Sequence, residues 1–259
     1  MAQMKPPVRG RRKAENGAGG QRSVSKAKAA PSKHAPRAAQ RIMAIDGQTS
    51  LDAATDVLLA TGCKIAAELV RVGGRPPLRL RTPGFAGFAA IIASQQVSVA
   101  SANAIFARLE ARFAPLDAAA IRAADDDSLK ACGLSRPKMR ALRALAEAEG
   151  AGLDLVGLGA IDAGDAHRRL TAIWGIGPWS ADIFLLFCLG HPDAFPSGDL
   201  ALQEAARMAM GLAERPDARG LERIAERWRP LRGIAARMLW AYYRAAKGGA
   251  GMALAQAAS

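Results

Sequence analysis

Residues 169–190 read R-L-T-A-I-W-G-I-G-P-W-S-A-D-I-F-L-L-F-C-L-G, and this stretch decides the fold. Leu170 and Ile173 close one helix, and Gly175-Ile176-Gly177 makes a tight turn. Pro178 takes the first position of a second helix, where its missing N–H costs nothing. Ala181, Phe184, Leu185 and Cys188 give that helix an apolar face, and Gly190 ends it. Two glycines around one aliphatic residue let backbone N–H groups approach a phosphate oxygen, and the positive end of the second helix's dipole adds to the attraction. Ile176 packs between the two helices and holds the turn rigid. A dinucleotide-binding turn would need a preceding strand and a third glycine. Here a polar helical segment, Asp165 to Thr171, comes first, and Ser180 stands at the third position.

Working outward, the rest of the chain is also helical in pattern. Leu51 to Val72 reads as one or two short helices, with Leu58, Leu59, Ile65 and Leu69 on one face, until Gly73-Gly74 and Pro76-Pro77 break it. A strong helix begins at Thr82-Pro83 with Phe85, Phe88, Ile91 and Ile92. The next carries Ile105, Phe106 and Leu109 and stops before Pro115. Asp125 to Cys132 forms a short helix ended by Gly133, and Pro137 opens another containing Met139, Leu142 and Leu145. No stretch alternates with period two. The class is all-α.

The net charge of +13 is uneven. Residues 1–40 hold ten Lys or Arg and one acid, a net +9, which leaves +4 for the body. A segment of Lys, Arg, Ala, Gly, Pro and Ser buries too little apolar area to offset its ordering entropy, so a disordered basic tail is expected over 1–41. It either adds non-specific affinity for phosphates through counterion release or is a solvated extension without a specific role. A flexible C-terminal tail is expected at 249–259. No apolar run is long enough to span a bilayer and no signal peptide opens the sequence, which excludes a membrane partner and points to the cytoplasm. Cys63, Cys132 and Cys188 lack C-x-x-C spacing, which argues against a zinc site or an iron–sulfur cluster. His34, His167 and His191 are scattered and suggest no metal site. All four Trp and both Tyr fall between 174 and 243. For Trp228 a core role is expected; the others gather around the glycine turn.

Leu170, Ile173, Gly175, Ile176, Gly177, Ser180 and Ala181 resemble the signature L-x-x-h-x-G-h-G-x-x-[S/T]-A of the helix-hairpin-helix (HhH-GPD) DNA glycosylases, h being apolar. The family's essential Asp, at the start of the next helix, is matched by Asp199 in F-P-S-G-D-L-A-L-Q (195–203), 20 residues past Trp179. Asp193 is the nearest competitor but sits in the loop, off the family spacing. I-I-A-S-Q-Q-V-S-V (91–99) resembles the segment that enters the duplex, and G-L-S-R-P-K-M (133–139) and A-E-R-W-R-P-L-R (225–232) resemble later helices. The likeness spans 50–245 and is to the 3-methyladenine DNA glycosylase II branch and its shorter yeast-type counterparts.

The resemblance implies a two-lobed helical domain over 42–248, with the hairpin at about 164–190 and no N-terminal β-domain. It implies a monomer that acts on duplex DNA with damaged bases in the cytoplasm, associated with the nucleoid. Reaching a glycosidic bond requires flipping the base out of the stack. Gln96 stands where the family inserts a wedge, in place of an apolar residue, and Gln95, Ser98, Gly175, Ile176 and Gly177 are the other DNA-binding candidates. Gln95 and Gln96 also fit simple interhelix hydrogen bonding. The leaving sugar is oxocarbenium-like, so a fixed carboxylate is needed beside it, and Asp199 is that group; as an N-cap it also has an ordinary structural role.

By the same resemblance, Trp179 and Trp240 line the base pocket, where a ring face would attract a cationic alkylated base by ~0.5–2 kcal/mol. Two tyrosines of the related pocket are Ile183 and Leu200 here. Relatives that also nick the strand place a Lys where Trp179 stands, and Lys138, the only lysine between 131 and 246, lies outside the hairpin. Hydrolysis without strand cleavage is expected. No cofactor is implied beyond Na+ or K+ on the Thr171, Ile173 and Ile176 carbonyls. Two alternatives stay open: a glycosylase for deaminated or oxidised bases, and a non-catalytic hairpin module that binds DNA.

Overall fold

Side-chain caps set where many of the helices begin. The computed structural model describes residues 44–248, and both expected tails, 1–41 and 249–259, lie outside the described residues. In order come α1 (Gln48–Ala60), α2 (Lys64–Gly73), α3 (Gly84–Ser94), α4 (Val99–Arg112), α5 (Ala118–Ala123), α6 (Asp126–Ala131), α7 (Arg136–Gly150), α8 (Ala163–Thr171), α9 (Pro178–Ile183), α10 (Leu200–Met210), α11 (Ala218–Ala225) and α12 (Arg232–Ala246). Ser98, Asp117, Asp125, Asp162, Asp199 and Asp217 each accept an N–H from the first turn of the helix they precede. Each cap satisfies a donor that the helix itself cannot, a gain of about 1 kcal/mol. No strand occurs among the described residues.

The helices fall into two groups that share one hydrophobic core. In the first, α3 packs on α4 and α7, and α7 on α5 and α6. In the second, α12 is the spine, contacting α1, α2 and α10. Every α12 residue from Arg232 to Tyr242 is buried. Gly73 lets α2 approach that spine closely, since a Cβ there would lie 2.5 Å from the Tyr242 backbone nitrogen. The hairpin α8–α9 rests on α3, where Phe88 and Phe184 stack with centroids 4.5 Å apart. Two elements of the chain therefore meet at the hairpin: the α3–α4 loop and the loop entering α10. That meeting makes the site.

A buried cation fixes the spine. The Arg237 guanidinium donates to the Leu186 carbonyl (2.7 Å) and to the Arg79 carbonyl (3.2 Å), and lies 4.8 Å from the Phe187 ring centroid. Desolvation, with repulsion from Arg79, pulls its pKa down to about 10.

Three features differ from the sequence reading. The second hairpin helix is regular only to Ile183 and then widens into a π-helical turn, Phe184–Cys188, whose five side chains are all buried. The 225–232 stretch is no helix of its own but a 3-10 turn, Glu226–Trp228, joining α11 to α12. Short α5 escaped notice because six residues, mostly Ala, carry no periodic stripe. Trp228 is core, as expected, at 1% exposure.

Candidate active site

Glycine is required at the first position of the hairpin turn and not, for packing, at the second. Gly175 has φ +81°, a left-handed value that L side chains rarely adopt, and a Cβ on it would sit 2.7 Å from the Ala141 Cβ on α7. A Cβ on Gly177 would meet nothing within 4 Å. The space beside Gly177 is open to a ligand. The start of α9 that follows has no side-chain cap. Ile176 is buried at 5%, and its N–H donates to the Ile173 carbonyl (3.1 Å). Its part is to pack the turn, which leaves Gly175 and Gly177 as the exposed backbone.

Across from the turn lies a cavity of about 1130 Å³. Its walls come from the α3–α4 loop (Gln95, Gln96, Ser98), the hairpin (Gly175, Gly177, Trp179, Ser180), the start of α10 (Asp199, Leu200, Glu204), Arg215, and the end of α12 (Trp240, Tyr243, Lys247). Asp199 is the hub. Its Oδ1 accepts the Ala201 N–H (2.9 Å), the Leu202 N–H (3.0 Å) and the Trp240 Nε1–H (3.2 Å). Its Oδ2 accepts the Trp179 Nε1–H (3.0 Å). All four donors are neutral N–H groups, so the charge is oriented without being cancelled. Oδ2, with this one donor, keeps acceptor capacity for a water or a sugar.

The two tryptophans thus do more than line a pocket. Both spend their indole N–H on Asp199, and Trp240 is 6% exposed, packed against Phe187 at 5.5 Å. Trp179 is half-buried and more open to the cavity. Leu200 lines the cavity at 58% exposure, while Ile183 is buried in the core.

The two glutamines part company. Gln95 Nε2 donates to the Ser180 hydroxyl (2.9 Å), tying the α3–α4 loop to α9. Gln96 is exposed and has φ +55°, the one non-glycine with positive φ among the described residues. That backbone is strained for an L residue and is held by its neighbours, with the side chain at the cavity mouth. Ser98 caps α4 through the Ser101 N–H (3.2 Å).

Asp193 is elsewhere. It is buried, with Arg232 donating from Nε (3.0 Å) and Nη2 (2.8 Å) and Arg229 at 3.3 Å. A second buried carboxylate, Asp182 on α9, meets His167 Nδ1 of α8 at 2.8 Å and braces the hairpin. The Asp182 hydrogen bond raises the His167 pKa, while burial raises that of Asp182 itself. Lys138 Nζ donates to the Ala93 carbonyl (2.7 Å), outside the cavity. Sequence reasoning missed Glu204, Arg215 and Lys247, and it counted Tyr243 among the rings near the turn without naming it as a site residue. Tyr243 lies three residues past Trp240 on α12, a spacing that shares a helix face and was readable. Arg215 and Lys247 reach the cavity through folding alone.

Among the described residues, no helix is long and apolar enough to cross a membrane, and no cluster of three His, Cys, Asp or Glu side chains is placed to hold a metal.

The family model described as HhH-GPD superfamily base excision DNA repair protein matches residues 89–230. A DNA-3-methyladenine glycosylase 1 of Schizosaccharomyces pombe is 33% identical over 156 residues, covering 58% of this chain and 68% of that protein. Among solved structures, a 3-methyladenine DNA glycosylase of the same yeast in complex with abasic DNA superposes with TM-score 0.59 and 28% identity, over 72% of this chain and 94% of that one. A DNA-3-methyladenine glycosidase from Bacillus halodurans gives TM-score 0.66 and 25% identity, over 82% and 96%.

Proposed function

Because the chain belongs to the HhH-GPD superfamily of base excision DNA repair proteins, we propose that it hydrolyses the N-glycosidic bond of alkylated, 3-methyladenine-type bases in duplex DNA. The observation that carries this reading is Asp199: a carboxylate on the cavity wall, oriented by two indole N–H groups at 3.0 and 3.2 Å. As the base departs, positive charge builds on the deoxyribose, and a pre-oriented anion stabilises that charge without reorganising. Asp199 Oδ2 is the oxygen with room to hold the attacking water.

The hairpin at Gly175 and Gly177 grips the backbone, Gln96 fills the gap left by the base, and Trp179 offers its ring to the cationic base. A base alkylated on a ring nitrogen leaves readily, so no general acid is needed. A monovalent cation on the Thr171, Ile173 and Ile176 carbonyls completes the reading; Ile173 O, which accepts one N–H at 3.1 Å, retains a second lone pair for it. Such an ion would supply positive charge to a DNA phosphate.

Strand cleavage is not part of the proposed activity. The position after the turn that would carry a Schiff-base lysine holds Trp179, and Lys247 stands on the cavity rim at the end of α12 rather than on the hairpin. Duplexes carrying 3-methyladenine, 7-methylguanine, hypoxanthine or uracil, incubated side by side, test the assignment. Release is expected from the two alkylated substrates, with no borohydride-trapped protein–DNA adduct. Preference for hypoxanthine or uracil would move the substrate class, and trapping abolished by Lys247→Ala would overturn the hydrolytic mechanism.

A further inference from the structure

The residue just before the glycine turn is unexplained by the proposed chemistry. Trp174 is 44% exposed and is the one exposed aromatic ring among the described residues. Its ring has a cation over it, which holds the indole at the surface instead of in the core. The cation is Arg140 of α7, whose guanidinium carbon lies 3.8 Å from the ring centroid. The next α7 residue, Ala141, is the one against which Gly175 closes. Arg140 is thereby placed beside the turn by the same contact that shapes it.

Arg140 is itself exposed and makes no ion pair among the described residues. It borders a cavity of about 630 Å³ with Lys130 and Arg136. There Arg143 and Asp126 pair with each other at 2.6 Å, leaving three cations against Asp127. A guanidinium held 3.8 Å over an indole ring has fewer rotamers left and still carries N–H donors for a planar or tetrahedral anion. On a protein whose neighbouring turn leaves open backbone beside Gly177, that anion is a nucleic-acid phosphate.

We propose that the stacked Arg140–Trp174 pair is a DNA-backbone contact that extends the hairpin's grip to a further phosphate. It rests on the reading that duplex DNA lies on the hairpin. Arg140 makes the contact, and Trp174 holds it in place. If the stack only covered the Gly175–Ala141 packing, its loss would lower the melting temperature and leave DNA affinity unaltered at equal folding.

The test is fluorescence anisotropy with an undamaged duplex over a series of NaCl concentrations, on the full chain. For Arg140→Gln the slope of log K against log[NaCl] shrinks by about one, the counterion equivalent of one phosphate. Affinity falls roughly tenfold at moderate salt, as for loss of a hydrogen bond to a charged group. Trp174→Leu weakens binding in the same direction, Trp174→Phe restores it, and Trp174→Leu adds nothing once Arg140 is Gln. An unchanged slope in Arg140→Gln overturns the proposal, as do additive losses, which would make the ring an independent contact. Excision of 3-methyladenine by the same proteins separates the two readings. A wild-type chain that excises while Arg140→Gln keeps its slope refutes the phosphate contact alone; one that binds with the expected slope but excises nothing refutes the glycosylase reading and leaves the contact standing.

Discussion

Asp193 and Asp199 sit six residues apart on the chain and face opposite demands. Asp193 is buried and bound by the guanidinium of Arg232 at 2.8 and 3.0 Å, with Arg229 at 3.3 Å, so its charge is cancelled where it lies. Asp199 is held as firmly, by four hydrogen bonds, but every donor is a neutral N–H. A guanidinium partner stabilises a carboxylate by removing its field, whereas amide and indole donors fix its direction and leave the field available to a substrate. One aspartate closes the fold between the loop before α10 and the start of α12. The other is left to do electrostatic work in the cavity.

The comparison breaks if the two substitutions behave alike. Asp199→Asn should lower single-turnover excision of an alkylated base by about 100- to 10,000-fold. Its melting temperature should fall only modestly, because the Asn carbonyl keeps the cap while its NH2 no longer accepts the Trp179 Nε1–H, a loss of about 1–2 kcal/mol. Asp193→Ala should do the reverse: it leaves the buried Arg232 with Glu226 as its one carboxylate partner among the described residues, at 3.2 Å, and costs about 3 kcal/mol of stability, while the fraction that remains folded excises normally. Denaturant unfolding followed by an activity assay at equal folded concentration reads both. Trp240→Phe keeps a ring and deletes one donor to Asp199. Loss of a hydrogen bond to a charged group predicts roughly a tenfold slower excision step, with substrate affinity retained.

A third aspartate sharpens the contrast at smaller scale. Asp182 is buried like Asp193 but its partner is the titratable His167. Both groups have raised pKa values, so both bind protons more tightly in the folded chain than in the unfolded one. The His167 contribution is complete below its ordinary value of 6.5 and fades as pH rises through the raised one, so hairpin stability falls with increasing pH there. His167→Gln should flatten that part of the melting-temperature profile and cost about 1–2 kcal/mol on its acid side. A profile with the same shape in wild type and variant would remove the ionic brace from the account.

Much of the fold was legible because its helices announce themselves by apolar stripes and by Ser, Asp and Gly at their ends. The turn was legible for a sharper reason: G-x-G after a helix leaves few conformations, and Gly175 takes the left-handed one. Asp199 is instructive. As a helix cap it looks like Asp117, Asp125, Asp162 and Asp217, each accepting an N–H from its own first turn. Nothing local distinguishes it. Resemblance to a family singled it out from sequence, and in the folded chain two indoles 20 residues before and 41 after it do so. That the tryptophans would hold the carboxylate, beyond lining a pocket, depends on the edge of each ring, which sequence does not specify. The resemblance set Gln96 apart as the wedge candidate, but that Gln95 instead ties the loop to α9 through Ser180 depends on side-chain placement that sequence does not give.

The claim that Asp199 presents an uncancelled negative charge has a direct probe. Two duplexes are compared at the same central position: one carries a neutral tetrahydrofuran abasic residue, the other a protonated pyrrolidine that mimics the cationic sugar. A site built for the charged transition state binds the cation more tightly than the neutral mimic. The expected result is a strong preference of the wild-type protein for the pyrrolidine duplex that vanishes in Asp199→Asn and persists in Asp193→Asn. Equal affinity of wild type for both duplexes, or a preference that survives Asp199→Asn, would contradict the account.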